Sequence, residues 1–86
     1  MVTVEKKDEN TFEVTVEDEQ GTSHHTVTVD DDYHQRLTEG KIPKELLVKR
    51  SFNFLLERES KESILSEFDL TVISEYFSEY EDKVGV

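Results

Sequence analysis

The spacing of hydrophobic residues changes at position 30, and this change divides the chain into two parts. Before Asp30, apolar and polar residues alternate, which is the pattern of strands with one buried face. After the acidic triplet Asp30–Asp32, apolar residues recur every three or four positions, as they do on one side of a helix. The sequence therefore predicts an α+β fold in which helices cover one face of a sheet.

The alternating part predicts three strands, at about residues 2–7, 11–18 and 23–29. The second is the clearest, because Phe12, Val14 and Val16 alternate with threonine and glutamate. Short polar segments at residues 8–10 and 19–22 separate the strands, and short connections favour antiparallel neighbours. We therefore predict a three-stranded antiparallel meander.

The second part predicts three or four helices, at about residues 31–39, 43–58, 61–67 and 70–80. The carboxylates of Asp30–Asp32 suit a helix start, since they accept hydrogen bonds from free backbone N–H groups there. Pro43 suits the first turn of the next helix. That helix carries apolar residues over an arc of about 200°. One sheet cannot cover so wide an arc, so we expect a second contact with the later helices or with another subunit.

A chain of 86 residues forms one small domain, and we expect its end to fray from about residue 82. The apolar positions that face inward in the predicted elements define an expected core. It comprises Val4, Phe12, Val14, Val16, Val27, Val29, Leu37, Leu47, Phe52, Leu55, Leu56, Ile64, Leu65, Ile73 and Phe77.

The net charge of −11 is unevenly distributed. Residues 1–40 carry eleven acidic and three basic residues, residues 41–58 carry two and five, and residues 59–82 carry eight and one. We interpret the basic central segment as charge balance within the fold. The predicted helices at 61–67 and 70–80 resemble a helix-turn-helix in outline, but no Lys or Arg lies between residues 62 and 82 to contact phosphates. We therefore expect no direct binding to nucleic acid.

Candidate chemistry is sparse. The chain has no cysteine, and its longest apolar runs are three residues, so we expect neither a membrane span nor a signal peptide but a cytoplasmic protein. The adjacent His24 and His25 would point to opposite faces of a strand, and His34 lies on the first helix, so no metal site is predicted. The triplet Asp30–Asp32 lacks the glycine and glutamate offsets of a calcium loop.

Catalytic and cofactor motifs are also missing from the sequence. The glycines at 21, 40 and 85 are isolated, so no phosphate-binding loop is predicted. None of the carboxylates lies in an apolar stretch that would shift its pKa for acid–base catalysis. We therefore expect a non-enzymatic protein with no cofactor and identify no small-molecule substrate.

The best candidates for an interaction surface are Tyr76, Phe77 and Tyr80, because aromatic residues are enriched at interface centres. The first hypothesis is a small protein-binding or adaptor module that uses an apolar and aromatic helical surface, with the wide apolar face of the main helix pairing with itself or with another protein. The alternative is an acidic nucleic-acid mimic, or an antitoxin-like inhibitor, of a basic partner. The first predicts a complex that is insensitive to salt, and the second predicts association that weakens sharply with salt.

The helical half also carries a specific pattern. It comprises Ser51–Glu59, Lys61–Leu65, Phe68–Leu70, Val72–Ile73, Tyr76–Phe77 and Glu79–Tyr80. With His25–Val29, this pattern resembles a family of small uncharacterised prokaryotic proteins. The family tends to have proline at the positions of Ser60 and Ser78. The resemblance implies a single compact domain and assigns no activity or site residue.

Leu55 tests the predicted phase of the main helix. Because its side chain is expected to lie in the core, Leu55→Ala should lower the free energy of unfolding by about 2–5 kcal/mol, through lost burial and a cavity. Urea denaturation measures this loss. A loss well under about 1 kcal/mol would show that the helix faces another way.

Overall fold

The computed structural model describes residues 1–85, which form a four-stranded sheet with four α-helices. The α+β class is confirmed. The strands are β1 (Val2–Lys6), β2 (Thr11–Asp18), β3 (Gly21–Thr28) and β4 (Glu67–Asp69). The α-helices are α1 (Asp31–Thr38), α2 (Lys44–Leu56), α3 (Thr71–Tyr76) and α4 (Tyr80–Val84), and a 3-10 turn spans Lys61–Ser63.

The first three strands form the expected antiparallel arrangement. Val4 lies opposite Val14 across β1 and β2, and Phe12 lies opposite Val27 across β2 and β3. These apolar residues share one face of the sheet because side chains alternate along a strand. Gly21 has a φ of 137° where the chain turns from β2 into β3, a conformation that favours glycine.

The sheet differs from the prediction because it is mixed and has a fourth strand. Residues 61–67 were expected to form a helix, but they form the 3-10 turn, an irregular connection and the start of β4. β4 runs parallel to β3, with Phe68 opposite Val27. The backbone N–H of Thr26 donates to Ser66 O at 2.8 Å, and Leu70 N–H donates to Thr28 O at 3.1 Å. These bonds satisfy one edge of β3 that an isolated helix would leave open.

The predicted helix at 70–80 is divided into two shorter ones. α3 ends at Tyr76, and Phe77 is extended, with φ −130° and ψ 104°. A turn then brings the Tyr80 N–H to Phe77 O at 3.1 Å, and α4 begins. α4 includes residues 82–84, where the sequence predicted fraying, and Val84 is buried.

The core lies between the sheet and the helices, and most of its predicted members are buried. Leu65 is the clear exception, since 51% of its surface is exposed. Val4, Leu56 and Phe77 are only partly buried. The buried set contains further residues that were not in the predicted core, namely Tyr33, Val48, Phe54, Phe68, Leu70, Tyr80 and Val84.

The wide apolar arc of α2 is covered within the same chain. The ring of Phe52 lies against His25 of β3, with 5.3 Å between centroids. On another side of α2, the ring of Phe54 lies edge-on to those of Phe77 and Tyr80, at 5.7 Å and 5.4 Å. The sequence analysis expected a second contact of this helix, either with the later helices or with another subunit. The later helices supply this contact, and α2 lies between them and the sheet.

A buried polar link fixes α4 to α2. Ser51 Oγ donates to Leu47 O at 2.8 Å and lies 2.6 Å from the Tyr80 hydroxyl. Because the serine hydrogen is already donated, the tyrosine hydroxyl donates to Ser51 Oγ. Burial raises the pKa of the Tyr80 phenol, so this donor keeps its proton well above neutral pH.

Removing this hydroxyl should weaken the fold while leaving its shape intact. Tyr80→Phe is expected to lower the free energy of unfolding by about 1 kcal/mol, since one buried hydrogen bond is lost. Urea denaturation gives the value. Tyr76→Phe is the matched control, because Tyr76 is 72% exposed and its hydroxyl forms no hydrogen bond within residues 1–85, so its loss should leave stability unchanged. Equal stability of Tyr80→Phe and the original chain would contradict the role of the link.

Candidate functional site

An apolar groove of about 400 Å³ lies between the end of α2, the 61–66 connection, β4 and α3. Its walls are mainly aliphatic and aromatic side chains. The groove is lined by Leu55, Glu59, Ser63, Ile64, Leu65, Phe68, Val72, Ile73, Tyr76 and Phe77. We call this set the β4 groove.

The β4 groove has a buried floor and an exposed apolar rim. Ile64, Phe68 and Ile73 are buried, so they form a fixed surface. Leu65 and Tyr76 are 51% and 72% exposed. These two belong to a small group of large hydrophobic residues left in solvent, and an apolar concave surface with such a rim is typical of a binding site.

One wall of the groove is held in place by Lys61. Although it is a lysine, its side chain is only 2% exposed. Its Nζ lies 2.9 Å from Asp18 at the end of β2 and 2.5 Å from the neighbouring Glu62. The ion pair with Asp18 therefore ties the turn before the groove to the β2–β3 hairpin.

These contacts shift the pKa values of all three groups. The hydrogen bonds to Glu62 and then to Asp18 raise the pKa of Lys61 above its usual 10.5. The hydrogen bond from Lys61 in turn lowers the pKa of both carboxyl groups below their usual values, 3.8 for Asp18 and 4.5 for Glu62. Each partner is thus held in its charged form over a wider range of pH.

A second anchor of the same wall is His25. This side chain is 3% exposed, and its Nδ1 lies 2.8 Å from the backbone oxygen of Leu65, on the groove rim. Its Nε2 lies 2.8 Å from Ser23 Oγ. Since a carbonyl oxygen only accepts, Nδ1 carries the hydrogen that binds Leu65 O, and in the neutral ring Nε2 accepts from Ser23. His25 is buried and His24 is exposed, in agreement with the prediction that they point to opposite faces of the strand.

The three aromatic residues predicted as an interaction surface lie in two places. Tyr76 and Phe77 line the β4 groove, and Tyr76 is the more exposed. Tyr80 is fully buried and contacts α2 through Phe54 and Ser51. The break at Phe77 rotates Tyr80 inward, away from the helical face that it would share with Phe77 in a continuous helix.

Other groove residues were missed by the sequence analysis. Leu65 was placed in the core, and Val72 and Glu59 were assigned no role. The spacing of Ile64, Leu65 and Phe68 fits a helix as well as an extended segment, so periodicity alone could not expose Leu65. The exposure of Leu65 follows from the irregular path of residues 64–66, which leads from the 3-10 turn into the pairing of β4 with β3.

The residues considered for metal binding do not come together. Within residues 1–85, no three His, Asp or Glu side chains converge on a point that could hold a metal ion. His34 Nε2 lies 2.6 Å from Ile42 O, and Asp30 accepts from the backbone of Asp32 at the start of α1. Lys44 pairs with Asp31. These side chains serve the local structure around α1.

A second, polar depression lies between α2 and α4. It is lined by Arg50, Asn53, Phe54, Glu57, Arg58, Lys83 and Val84. The guanidinium of Arg58 lies 3.7 Å above the Phe54 ring and within 3.4 Å and 3.6 Å of Glu57 and Glu79. Its charge is therefore already balanced by neighbouring carboxylates, so the β4 groove is the stronger candidate site.

Comparison with known proteins adds no assignment. No family model matches the chain, and no curated protein or solved structure matches it. The resemblance of the helical half to a prokaryotic family therefore stays a prediction. Within the described residues, no helix has the length and apolar character needed to cross a bilayer.

The Lys61 contacts should appear in the pH dependence of stability. Lowered carboxyl pKa values contribute stability that is present above pH 4.5 and is lost as the pH falls through the folded-state values. Lys61→Met removes the part of this contribution that comes from Lys61. Between pH 7 and pH 3, the variant should therefore lose less unfolding free energy than the original chain, as measured by urea denaturation.

Lys49→Met is the control, because Lys49 is exposed and forms no ion pair within residues 1–85. It should leave the acid-induced loss of stability close to that of the original chain. The raised pKa of Lys61 adds a contribution that is present below pH 10.5 and fades at higher pH. An acid-induced loss that is identical in Lys61→Met and the original chain would contradict the assignment.

Proposed function

We propose that this protein is a non-enzymatic protein-binding module and that the β4 groove receives a large apolar side chain of a partner polypeptide. The observation that carries the proposal is the joint exposure of Leu65 and Tyr76 on the rim of an apolar groove with a buried floor. Burying such a rim against a partner removes apolar surface from water, which is the main favourable contribution in association.

The floor of the groove is suited to this role because it is already formed. Phe68 packs on Phe52 of α2, with 5.9 Å between ring centroids. Leu65 is held by the bond of its carbonyl oxygen to His25. A pre-formed site spares the partner the cost of ordering the groove, so more of the contact energy contributes to affinity.

A second candidate function is the acidic mimic or inhibitor of a basic partner. It is favoured by the outer face of the sheet, which faces away from the helices. Glu5 pairs with Glu13 across β1 and β2, Glu13 pairs with Thr26, and Thr26 pairs with Glu67 of β4. Three carboxylates therefore share one row across the sheet. A complex formed through this face would weaken sharply with salt, whereas docking in the apolar groove would persist.

Random peptides displayed on phage provide a probe that assumes no particular partner. Selection on the immobilised protein should enrich peptides with a large apolar residue. Because Leu65 is half exposed, Leu65→Ser should cost about 1 kcal/mol of binding, or about a fivefold loss of affinity for the enriched peptides. Synthetic versions of those peptides, titrated by fluorescence anisotropy, give the dissociation constants.

Leu46→Ser is the matched control, because Leu46 is an exposed leucine on α2 that does not line the groove. The Leu46→Ser variant should bind the enriched peptides with the same affinity as the original chain. Equal losses in the two variants, or the enrichment of peptides that bind Leu65→Ser undiminished, would refute the groove as the docking site. Peptides that bind the acidic outer face of the sheet would instead lose affinity by about tenfold or more in 1 M salt.

A further inference from the structure

The outer edge of β4 offers backbone hydrogen bonds that the described chain does not use. In the parallel ladder, Ser66, Phe68 and Leu70 direct their backbone groups toward β3. The backbone N–H and C=O groups of Glu67 and Asp69 therefore point the other way. No other residue among 1–85 forms a hydrogen bond with these outward groups. Such an edge is a template for another strand.

This edge borders the β4 groove. Phe68, in the centre of β4, belongs to the groove lining, and Leu65 lies two residues before the strand. A strand that pairs with β4 would direct every second side chain toward the helix layer, where the groove lies. Backbone pairing and apolar docking can therefore be satisfied by the same extended segment.

The opposite edge of the sheet lacks this combination. β1 also directs alternate backbone groups outward. Met1 and Glu17 exchange backbone hydrogen bonds, so the backbone N–H and C=O groups of Val2, Val4 and Lys6 point away from β2. No β1 residue lines either of the two depressions. β1 also ends in Lys6, and lysines on an edge oppose pairing with other strands.

The charges around β4 define the partner. The side chains of Glu67 and Asp69 lie on the outer face, opposite Phe68, because side chains alternate along the strand. Glu59 lines the groove and forms no ion pair within residues 1–85. The described lining contains no Lys or Arg. The complementary segment therefore places basic residues on the outer face, where Glu67 and Asp69 lie.

We infer that the partner of the β4 groove binds as an extended strand added to the outer edge of β4. Its apolar residues enter the groove at every second position, and Lys or Arg at the intervening positions lie beside Glu67. This inference rests on the proposed function, and it specifies the conformation and the chemistry of the segment. Asp69 contributes less, because its carboxylate already accepts from Thr28 Oγ1 at 2.8 Å and from the N–H of Thr71 at 3.0 Å.

The probe is a synthetic heptapeptide, blocked at both ends, in which lysine alternates with leucine or valine. Two further peptides have the same side chains but carry N-methyl groups on the backbone. In one peptide the backbone nitrogens of the lysines are methylated, and in the other those of the apolar residues are methylated. Only alternate amides of an added strand face β4, so just one methylated peptide should lose affinity, by tenfold or more. Equal affinities of the two methylated peptides, whether retained or lost, would overturn strand addition.

Amide hydrogen exchange of the protein gives a direct readout. The N–H groups of Glu67 and Asp69 should exchange rapidly in the free protein and become protected at least tenfold when the unmodified heptapeptide saturates it. Unchanged exchange at both amides under saturation would overturn the inference. A peptide of the same composition with its lysines grouped at one end is the control, and it should protect neither amide.

Charge reversal tests the outer contact and separates the two proposals. Glu67→Lys should weaken the heptapeptide by about threefold to fivefold, whereas Glu45→Lys, at an exposed position of α2 outside the groove, should produce a smaller change. Sensitivity to Leu65→Ser with no effect of N-methylation would retain groove docking and refute the added strand. Binding that ignores Leu65→Ser as well would refute both proposals for this peptide.

Discussion

The parallel pairing of β4 with β3 determines where the second half of the chain lies. It brings Phe68 onto the apolar face of the sheet, opposite Val27 and near Phe52 of α2. It also fixes the path of residues 64–66, which leaves Leu65 in solvent. α3 follows β4 directly, so the parts of the groove formed by the 64–66 connection, β4 and α3 depend on three paired residues. A short strand has this effect because pairing restricts the backbone on either side of it.

Much of this architecture follows from the sequence alone, but β4 does not. The alternation of Phe12, Val14 and Val16 specifies a half-buried strand, and the sheet contains it as expected. A three-residue strand has no such signal, because Glu67, Phe68 and Asp69 alternate only once. Its stability comes from non-local hydrogen bonds to Thr26 and Thr28, about forty residues earlier, and local patterns carry no information about them.

The candidate site was predicted only in part for the same reason. Tyr76 and Phe77 were recognised because aromatic residues are common at interfaces, and the type of a residue is known whatever path the chain takes. Tyr80 was assigned with them because a continuous helix would place it on the same face. The extended backbone at Phe77 ends that helix, and the Tyr80 hydroxyl then finds Ser51 inside the core. A single break of this kind changes the direction in which the later side chains of the predicted helix point.

The polar contacts around the groove explain how an acidic chain keeps an apolar site open. Within residues 1–85, every buried side-chain nitrogen and oxygen has a hydrogen-bond partner. Lys61, in the connection before β4, binds Asp18 of the β2–β3 hairpin, and His25 of β3 binds the Leu65 carbonyl oxygen in the same connection. This arrangement leaves the outward edge of β4 unpaired within residues 1–85 and the Leu65 side chain in solvent. The polar contacts of Lys61 and His25 therefore lie behind the groove wall, on the side of the hairpin. The opposite side of the wall is available to a partner, and a positively charged partner suits a chain of net charge −11.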